Sequence, residues 1–252
     1  MSVKGAIHSC ETFAAADGPG VRFLVFLSGC PFRCAYCHNP DTWAKGPAFE
    51  ADAGEVLAEA LKYRDYWGDE GGITLSGGEP MLQAQFAAEL FEAAHAAGVN
   101  TCIDTAAGCF DRNDAAQRRL LAASDTVILD IKLMDDAAHR ALTGAGVANV
   151  LDCARFVAGA RGRLWIRRVL VPGLTDGEDD LGRLGEFIRS LGRVEKFEIL
   201  PYHGFGAAKW KLLGMPYSLE GVKPPTEEEV RRAYEAVQWR PVEELKGKTK
   251  RE

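Results

Sequence analysis

Three cysteines, Cys30, Cys34 and Cys37, lie within eight residues of one another. Their spacing of four and three residues lets three sulfurs in one loop point at one centre, and three thiolates suit either an iron–sulfur cluster or zinc. A structural zinc site needs a fourth ligand. The nearest candidate, His38, follows Cys37 directly, and successive side chains usually diverge. A cubane cluster on three cysteines would leave one iron free to bind a substrate or cofactor. The spacing predicts a metal-binding loop and leaves both metals open.

Other polar residues stand at the ends of predicted strands or just after them. Along the chain these are Gly77-Gly78-Glu79, Asp104 with Thr105, Asp130 with Lys132, Arg167 and His203. The carboxyl ends of parallel strands meet at one edge of a sheet, and ligands bind there in α/β folds. We therefore expect these residues to share one site with the cysteine loop. Each of them alone is equally well explained as a strand-end polar group satisfied by its own loop.

Alternating strand and helix patterns predict the elements that position these loops. Strands rich in apolar residues are predicted at 21–27, 73–75, 101–103, 127–131, 164–171 and 197–200. Helices are predicted at 55–66, 82–97, 114–123, 137–142, 181–191 and 227–237. Strands separated by helices must pair in parallel, because only a long crossover returns the chain to the same end. The fold class is α/β, and periodicity alone does not separate an open doubly wound sheet from a partly closed barrel.

Length and composition fit one globular domain. The 252 residues are 47% apolar and 26% charged, which excludes a disordered or collagen-like chain. Without a repeat or long linker, we predict a single domain over 1–252, with its core at about 15–240. The formal charge of −6 argues against nucleic acid or an anionic membrane surface as the main partner. With no readable secretory signal or membrane span, we expect a cytoplasmic enzyme.

Two motifs resemble those of the radical S-adenosylmethionine (radical SAM) superfamily. The Cys-x-x-x-Cys-x-x-Cys loop, with Tyr36 before its last cysteine, is similar to the superfamily's cluster-binding loop, and Gly77-Gly78-Glu79-Pro80 resembles its glycine-rich motif. Further stretches resemble one branch, the pyruvate formate-lyase activating enzymes: Asp17–Gly20, Tyr36–Trp43, Asp130–Lys132, Trp165–Arg167, Leu200–His203 and Gly221–Pro225. The resemblance implies a partial (β/α)6 TIM-like barrel with parallel strands.

The resemblance also implies an oxidoreductase of anaerobic carbohydrate metabolism. Such an enzyme reductively cleaves S-adenosylmethionine and abstracts a hydrogen from one glycine of pyruvate formate-lyase (formate acetyltransferase). Cys30, Cys34 and Cys37 would hold a 4Fe-4S cluster, and flavodoxin or ferredoxin would supply the electron. No cysteine stands between residues 44 and 66, which favours an activase with a single cluster. The alternatives are an activase of another glycyl-radical enzyme and a radical enzyme that acts on a small molecule.

Site residues follow from the same resemblance. The S-adenosylmethionine pocket would comprise Tyr36, Cys37, His38, Gly78, Asp130, Ile131, Lys132 and His203. Lys132 and Arg167 would join the three cysteines as catalytic residues, because their cationic groups suit a carboxylate or a transient negative charge. Gly78 would let the methionine moiety approach the backbone closely. The glycine-rich motif would bind the amino group through its backbone and its carboxylate.

A monovalent cation such as K⁺ is implied near the sulfonium. The matching oxygen donors are Asp104, Thr105 and Asp130. Pairing of the two carboxylates with Lys132 or Arg167 explains the same residues equally well. The Asp17–Gly20 loop resembles the element that contacts the incoming glycyl segment, although an ordinary Asp-Gly-Pro turn would also account for it.

Overall fold

An eight-stranded sheet forms the centre of the protein in a computed structural model, which describes residues 2–44 and 46–241. The ends of the predicted domain, residue 1 and residues 242–252, lie outside the described residues. The strands are β1 (Lys4–Ala14), β2 (Arg22–Leu27), β3 (Phe49–Asp52), β4 (Gly72–Gly77), β5 (Asn100–Thr105), β6 (Thr126–Asp130), β7 (Arg163–Leu170) and β8 (Lys196–Pro201). Their order in the sheet is β3-β1-β2-β4-β5-β6-β7-β8.

Eight α-helices accompany the sheet in the described part of the chain. They are α1 (Ala53–Leu61), α2 (Ala84–Ala96), α3 (Ala115–Ala122), α4 (Asp136–Thr143), α5 (Ala148–Ala158), α6 (Glu178–Leu191), α7 (Ala207–Leu212) and α8 (Glu227–Val237). Short 3₁₀ helices span Pro40–Thr42, Arg64–Tyr66, Pro80–Gln83 and Gly204–Gly206. None of these helices combines the length and the apolar character that crossing a membrane requires.

The six predicted parallel strands are confirmed as β2 and β4 to β8, each paired in parallel with its neighbour. Two further strands were not predicted: β1 pairs antiparallel with β2, and β3 pairs antiparallel with β1. Much of β1 is partly exposed and interrupted by polar residues such as His8, Ser9 and Glu11, so it lacks an apolar run. The parallel barrel is therefore extended by an antiparallel edge.

Two helices were also absent from the prediction. Helix α7 has only six residues, too few to show a helical period. Helix α5 does bury Val150, Cys153, Ala154 and Val157 at helical spacing, so its signal was present in the sequence. The predicted end of α2 at Gly98 is confirmed, because Gly98 has a φ of +68°. Helix α1 begins earlier than predicted, after a capping box of Asp52 with Glu55, and ends at Leu61, so the predicted helix 55–66 is too long at its end.

The curvature of the sheet creates an open, partial barrel. Within the described residues β3 and β8 are its two edges and do not pair with each other. The parallel strands are buried on both faces, with Ile73, Ile103 and Leu129 in the main core and Cys102 with Ile128 in a smaller cluster. The in-register pairing brings Leu27 beside Gly77, and Asp130 beside Arg167. The loops that follow these strands therefore meet along one edge.

Candidate active site

A cavity of about 240 Å³ opens at the carboxyl ends of the strands. Ten residues predicted from the sequence line it: Cys30, Cys34, Tyr36, Cys37, His38, Gly78, Asp104, Thr105, Asp130 and Lys132. Ile131, Arg167 and His203 are not among its lining residues. Several other lining residues were not predicted as site residues, including Trp43, Ser76, Val169 and Leu200. Ser76 precedes the glycine-rich motif and Val169 and Leu200 lie near the ends of strands, so a search of all strand ends would have found these three.

The cysteine loop is held by backbone hydrogen bonds to its neighbours. The N–H groups of Arg33 and Ala35 donate to the carbonyls of Thr143 and Leu142, at 2.6 and 3.0 Å. These carbonyls belong to the last turn of α4, where helical partners are absent. The N–H of Cys37 donates to the carbonyl of Cys34 at 3.0 Å, which closes a turn between two of the cysteines.

The three thiols are the candidate ligands of a metal centre. All three are free and line one cavity, yet within the described residues no three His, Cys, Asp or Glu side chains are grouped to hold one metal ion. Burial raises the pKa of Cys30 to about 11 and that of Cys34 to about 12. Thiolates at these positions therefore need the charge of a metal.

The imidazole of His38 contacts His203, in the loop after β8. Its Nε2 donates to the carbonyl of His203 at 3.1 Å, and the two imidazole rings lie with centroids 4.3 Å apart and planes inclined by 32°. Burial lowers the pKa of His38, which keeps its ring neutral. The hydrogen bond to His203 occupies Nε2 and leaves Nδ1 as the only ring nitrogen of His38 that could bind a metal.

The glycine-rich motif packs against the end of β2. A Cβ on Gly78 would lie 2.1 Å from the carbonyl oxygen of Gly29, and one on Gly77 would lie 2.5 Å from the amide nitrogen of Leu27. The absence of a side chain at Gly78 is thus required by the cysteine loop itself. From the sequence, only the approach of a ligand was expected to require this glycine.

The carboxylate of Glu79 is fully buried and bonded within the protein. It accepts hydrogen bonds from the hydroxyl of Thr105 at 2.6 Å and from the N–H groups of Met81, Ala106 and Ala107 at 2.9 to 3.0 Å. Burial raises its pKa. Glu79 therefore joins the loops after β4 and β5, and its carboxylate does not line the cavity as the resemblance had suggested.

Two carboxylates give one wall of the cavity negative character. Asp104 accepts a hydrogen bond from the hydroxyl of Ser76 at 3.1 Å, and Asp130 accepts one from Lys132 Nζ at 2.9 Å. Burial and the charge of Asp130 raise the pKa of Asp104 to about 7, and Arg167 opposes this rise. The predicted pairing of Asp130 with Lys132 is thus present, while Asp104 has no direct cationic partner among the described residues.

Lys132 and Arg167 have different hydrogen-bond partners. Burial opposes the charge of Lys132, but Asp130 and the nearby Tyr36 and Cys34 hold its pKa well above the ordinary value. Lys132 Nζ also lies 5.5 Å from the centre of the Tyr36 ring. Arg167 instead donates to Glu198 at 2.9 Å and to the carbonyl of Ala16. It ties the loop before β2 to the barrel interior.

The loop before β2 is hydrogen-bonded to side chains of the central strands. Thr74 donates its hydroxyl to the carbonyl of Asp17 at 2.8 Å and accepts a hydrogen bond from the buried Arg22 at 2.9 Å. Burial raises the pKa of Asp17, and Arg167 opposes the rise. The Asp17–Gly20 loop is thus more than a surface turn: it reaches the interior of the barrel.

Known proteins similar to this chain belong to one superfamily and share one name within it. The family model of the radical SAM superfamily matches residues 24–184. The pyruvate formate-lyase-activating enzyme of Streptococcus mutans is 48% identical over 250 residues, with 97% of this chain and 95% of that protein covered. The enzyme of the same name from Staphylococcus epidermidis is 48% identical over 240 residues, with 93% and 96% covered.

Solved structures share the fold. A domain of pyruvate-formate lyase-activating enzyme from Bacteroides vulgatus superposes with a TM-score of 0.54 and 24% identity, over 66% of this chain and 92% of that one. SuiB of Streptococcus suis, bound to its precursor peptide SuiA, superposes with a TM-score of 0.63 and 17% identity, over 85% of this chain and 44% of that one.

Proposed function

The chain belongs to the radical SAM superfamily and, within it, to the pyruvate formate-lyase-activating enzymes, and from this premise we propose how its residues act. The protein is an oxidoreductase that cleaves S-adenosylmethionine reductively and generates a glycyl radical on pyruvate formate-lyase. Cys30, Cys34 and Cys37 hold a 4Fe-4S cluster. The observation that carries this assignment is that the three free thiols line one cavity together with the glycine-rich motif and the strand-end carboxylates.

A 4Fe-4S cluster held by Cys30, Cys34 and Cys37 would supply the electron for reductive cleavage of S-adenosylmethionine into methionine and a 5′-deoxyadenosyl radical. The chain itself binds and orients the cofactor. We assign its methionine moiety to the backbone at Gly77 and Gly78, because both glycines line the cavity beside the cysteine loop. Lys132 offsets the negative charge of the thiolates, since it lies close enough to lower the pKa of Cys34.

The adenosine part is assigned to the side of the cavity formed by Tyr36, His38 and the end of β6. Asp130 ends β6 and lines the cavity, whereas Ile131 follows it in the buried core. His203 does not line the cavity, but its ring lies against that of His38. His203 thereby acts through His38. Arg167 is assigned an indirect role, because its donors hold the loop that carries Asp17.

A monovalent cation such as K⁺ is proposed beside the two carboxylates. Asp104 and Asp130 supply hard oxygen donors, and the cation would offset the charge that raises the pKa of Asp104. Thr105 lines the same wall. Its hydroxyl already donates to Glu79 and accepts from the N–H of Ala107. We therefore propose that Thr105 contributes less to cation binding than the two carboxylates do.

The partners follow from the function. The protein substrate is a glycyl-radical enzyme, for which we propose pyruvate formate-lyase, and the Asp17–Gly20 loop is proposed to contact its glycyl segment. Flavodoxin or ferredoxin is proposed as the electron donor. We also propose a cytoplasmic location, where free thiols stay reduced before cluster assembly.

Electron paramagnetic resonance tests the function directly. The protein is reconstituted with iron and sulfide without oxygen, reduced, and mixed with S-adenosylmethionine and pyruvate formate-lyase. The expected result is a glycyl-radical signal that requires all components. A reconstituted protein that binds iron and cleaves S-adenosylmethionine but gives no signal would exclude pyruvate formate-lyase as the substrate, and the same assay with other glycyl-radical enzymes would identify the partner.

A further inference from the structure

The segment His203–Trp210 crosses over the end of the cysteine loop. Its Trp210 donates from Nε1 to the carbonyl of Cys37 at 2.9 Å, although 173 residues separate the two in the chain. Lys209 Nζ lies 2.8 Å from Asn39 Oδ1 and 3.0 Å from Asp41 Oδ2. Two ends of the chain that are remote in sequence are thus joined at the last cysteine.

The approach of this segment is close. A Cβ on Gly206 would lie 2.9 Å from the imidazole of His38 and 3.1 Å from the carbonyl oxygen of Cys37. The Trp210 ring, only 6% exposed, packs edge to face on Trp43 at 5.1 Å and lies 5.4 Å from Tyr217. The indole therefore has a fixed orientation and little freedom to release the carbonyl it binds.

Both peptide groups of Cys37 are consequently fixed. Its N–H donates to the carbonyl of Cys34, and its own carbonyl accepts from Trp210. The earlier part of the loop is held differently, because Arg33 and Ala35 donate to the last turn of α4. Cys37 is thus the cysteine whose position depends on the C-terminal third of the chain.

We propose that His203–Trp210 is a clamp that holds Cys37 in its ligand position, with Trp210 as the positioning residue. The inference rests on the proposed function in one respect, namely that Cys37 binds the cluster. Groups that orient a metal ligand from outside the ligand set raise metal affinity by restricting the conformations of that ligand. The clamp therefore acts on cluster retention before any substrate is bound.

The test compares Trp210→Phe with Trp165→Phe. Trp165 is a matched control: it is 8% exposed and its Nε1 also donates one hydrogen bond, at 3.2 Å, to Glu195 on a different part of the barrel. The readout is the rate at which reconstituted protein loses its cluster to an iron chelator, followed by the iron–sulfur absorption. Thermal unfolding of the iron-free variants is measured in parallel.

We expect Trp210→Phe to lose the cluster roughly fivefold faster than wild type, the factor that corresponds to one buried hydrogen bond. Trp165→Phe should lose it at the wild-type rate. Unchanged retention in Trp210→Phe, or equal acceleration in both variants, would overturn the clamp. A wild-type protein that binds no iron would instead defeat the proposed function, so the two failures are distinguishable.

A second variant covers the case in which Trp210→Phe does not fold. Lys209→Met removes the ammonium that binds Asn39 and Asp41 but keeps a long apolar side chain at a partly exposed position. Faster loss of the cluster, relative to an exposed control such as Lys211→Met on the same helix, supports the clamp. Equal rates in these two variants count against it.

Discussion

The hydroxyl of Thr105 donates a 2.6 Å hydrogen bond to the buried carboxylate of Glu79, and this bond joins the loops after two adjacent strands, β4 and β5. The same carboxylate accepts the N–H groups of Ala106 and Ala107. Glu79 therefore holds the loop after β5 in place. Hydrogen bonds from neutral donors stabilise its own buried charge.

Replacing Glu79 by Gln should destabilise the iron-free protein. One acceptor oxygen becomes an NH₂ group that faces an N–H or a hydroxyl donor, so at least one buried hydrogen bond is lost. We expect a decrease of about 1–3 kcal/mol in the free energy of unfolding, measured with urea. Glu186→Gln, at an exposed position on α6, is the control and should stay within about 0.5 kcal/mol of wild type. Equal stability of both variants would contradict the role given to Glu79.

Gly78→Ala separates two explanations of the glycine-rich motif. If the glycine serves only ligand approach, the variant binds iron normally and loses affinity for S-adenosylmethionine. The 2.1 Å distance from a Cβ to the Gly29 carbonyl predicts instead that the cysteine loop shifts and that iron content falls before any cofactor is added. Gly182→Ala on α6 is the control, because nothing lies within 4 Å of its Cβ, and it should assemble a full cluster.

The ligand assignment predicts a sharp division among the cysteines. Substituting Ala for any one of Cys30, Cys34 or Cys37 should abolish cleavage of S-adenosylmethionine and lower bound iron. Cys153 is buried in α5, where burial raises its pKa, and Cys153→Ala should retain cleavage. The product 5′-deoxyadenosine is quantified in each case. Comparable loss in Cys153→Ala would show that the ligands are misassigned.

Asp104 predicts a pH dependence of stability in buffers without alkali cations. Its pKa of about 7 in the folded protein exceeds the ordinary 3.8, so the folded state binds the proton more tightly than the unfolded state. The contribution of Asp104 to stability should therefore be largest at low pH and should be lost as pH rises from about 4 to about 7. Urea midpoints at about pH 5 and about pH 8 measure this difference.

Asp104→Asn should flatten that profile, since the amide does not ionise. Added K⁺ should stabilise the wild-type protein at about pH 8, because a cation favours the ionised carboxylate. It should have little effect on the variant. A K⁺ response of equal size in both proteins would place the cation elsewhere.

The sequence predicted the parallel part of the fold because its signal is local. Each of the six parallel strands is an apolar segment followed by a helical pattern, and parallel pairing follows from those crossovers. The antiparallel strand β1 was missed since its side chains are partly exposed and mixed in polarity. An edge built from such residues is recognised only when its hydrogen-bonded partner is known.

The sequence by itself also determined the chemistry: three cysteines at fixed spacing, and polar residues at successive strand ends. Only the tertiary structure decided which of these residues meet. It turned Arg167 toward Ala16 and Glu198, enclosed the carboxylate of Glu79, and placed Trp210 on Cys37. The physical reason is distance along the chain. Spacing within a loop fixes neighbours a few residues apart, whereas contacts across more than a hundred residues depend on the order and curvature of the strands.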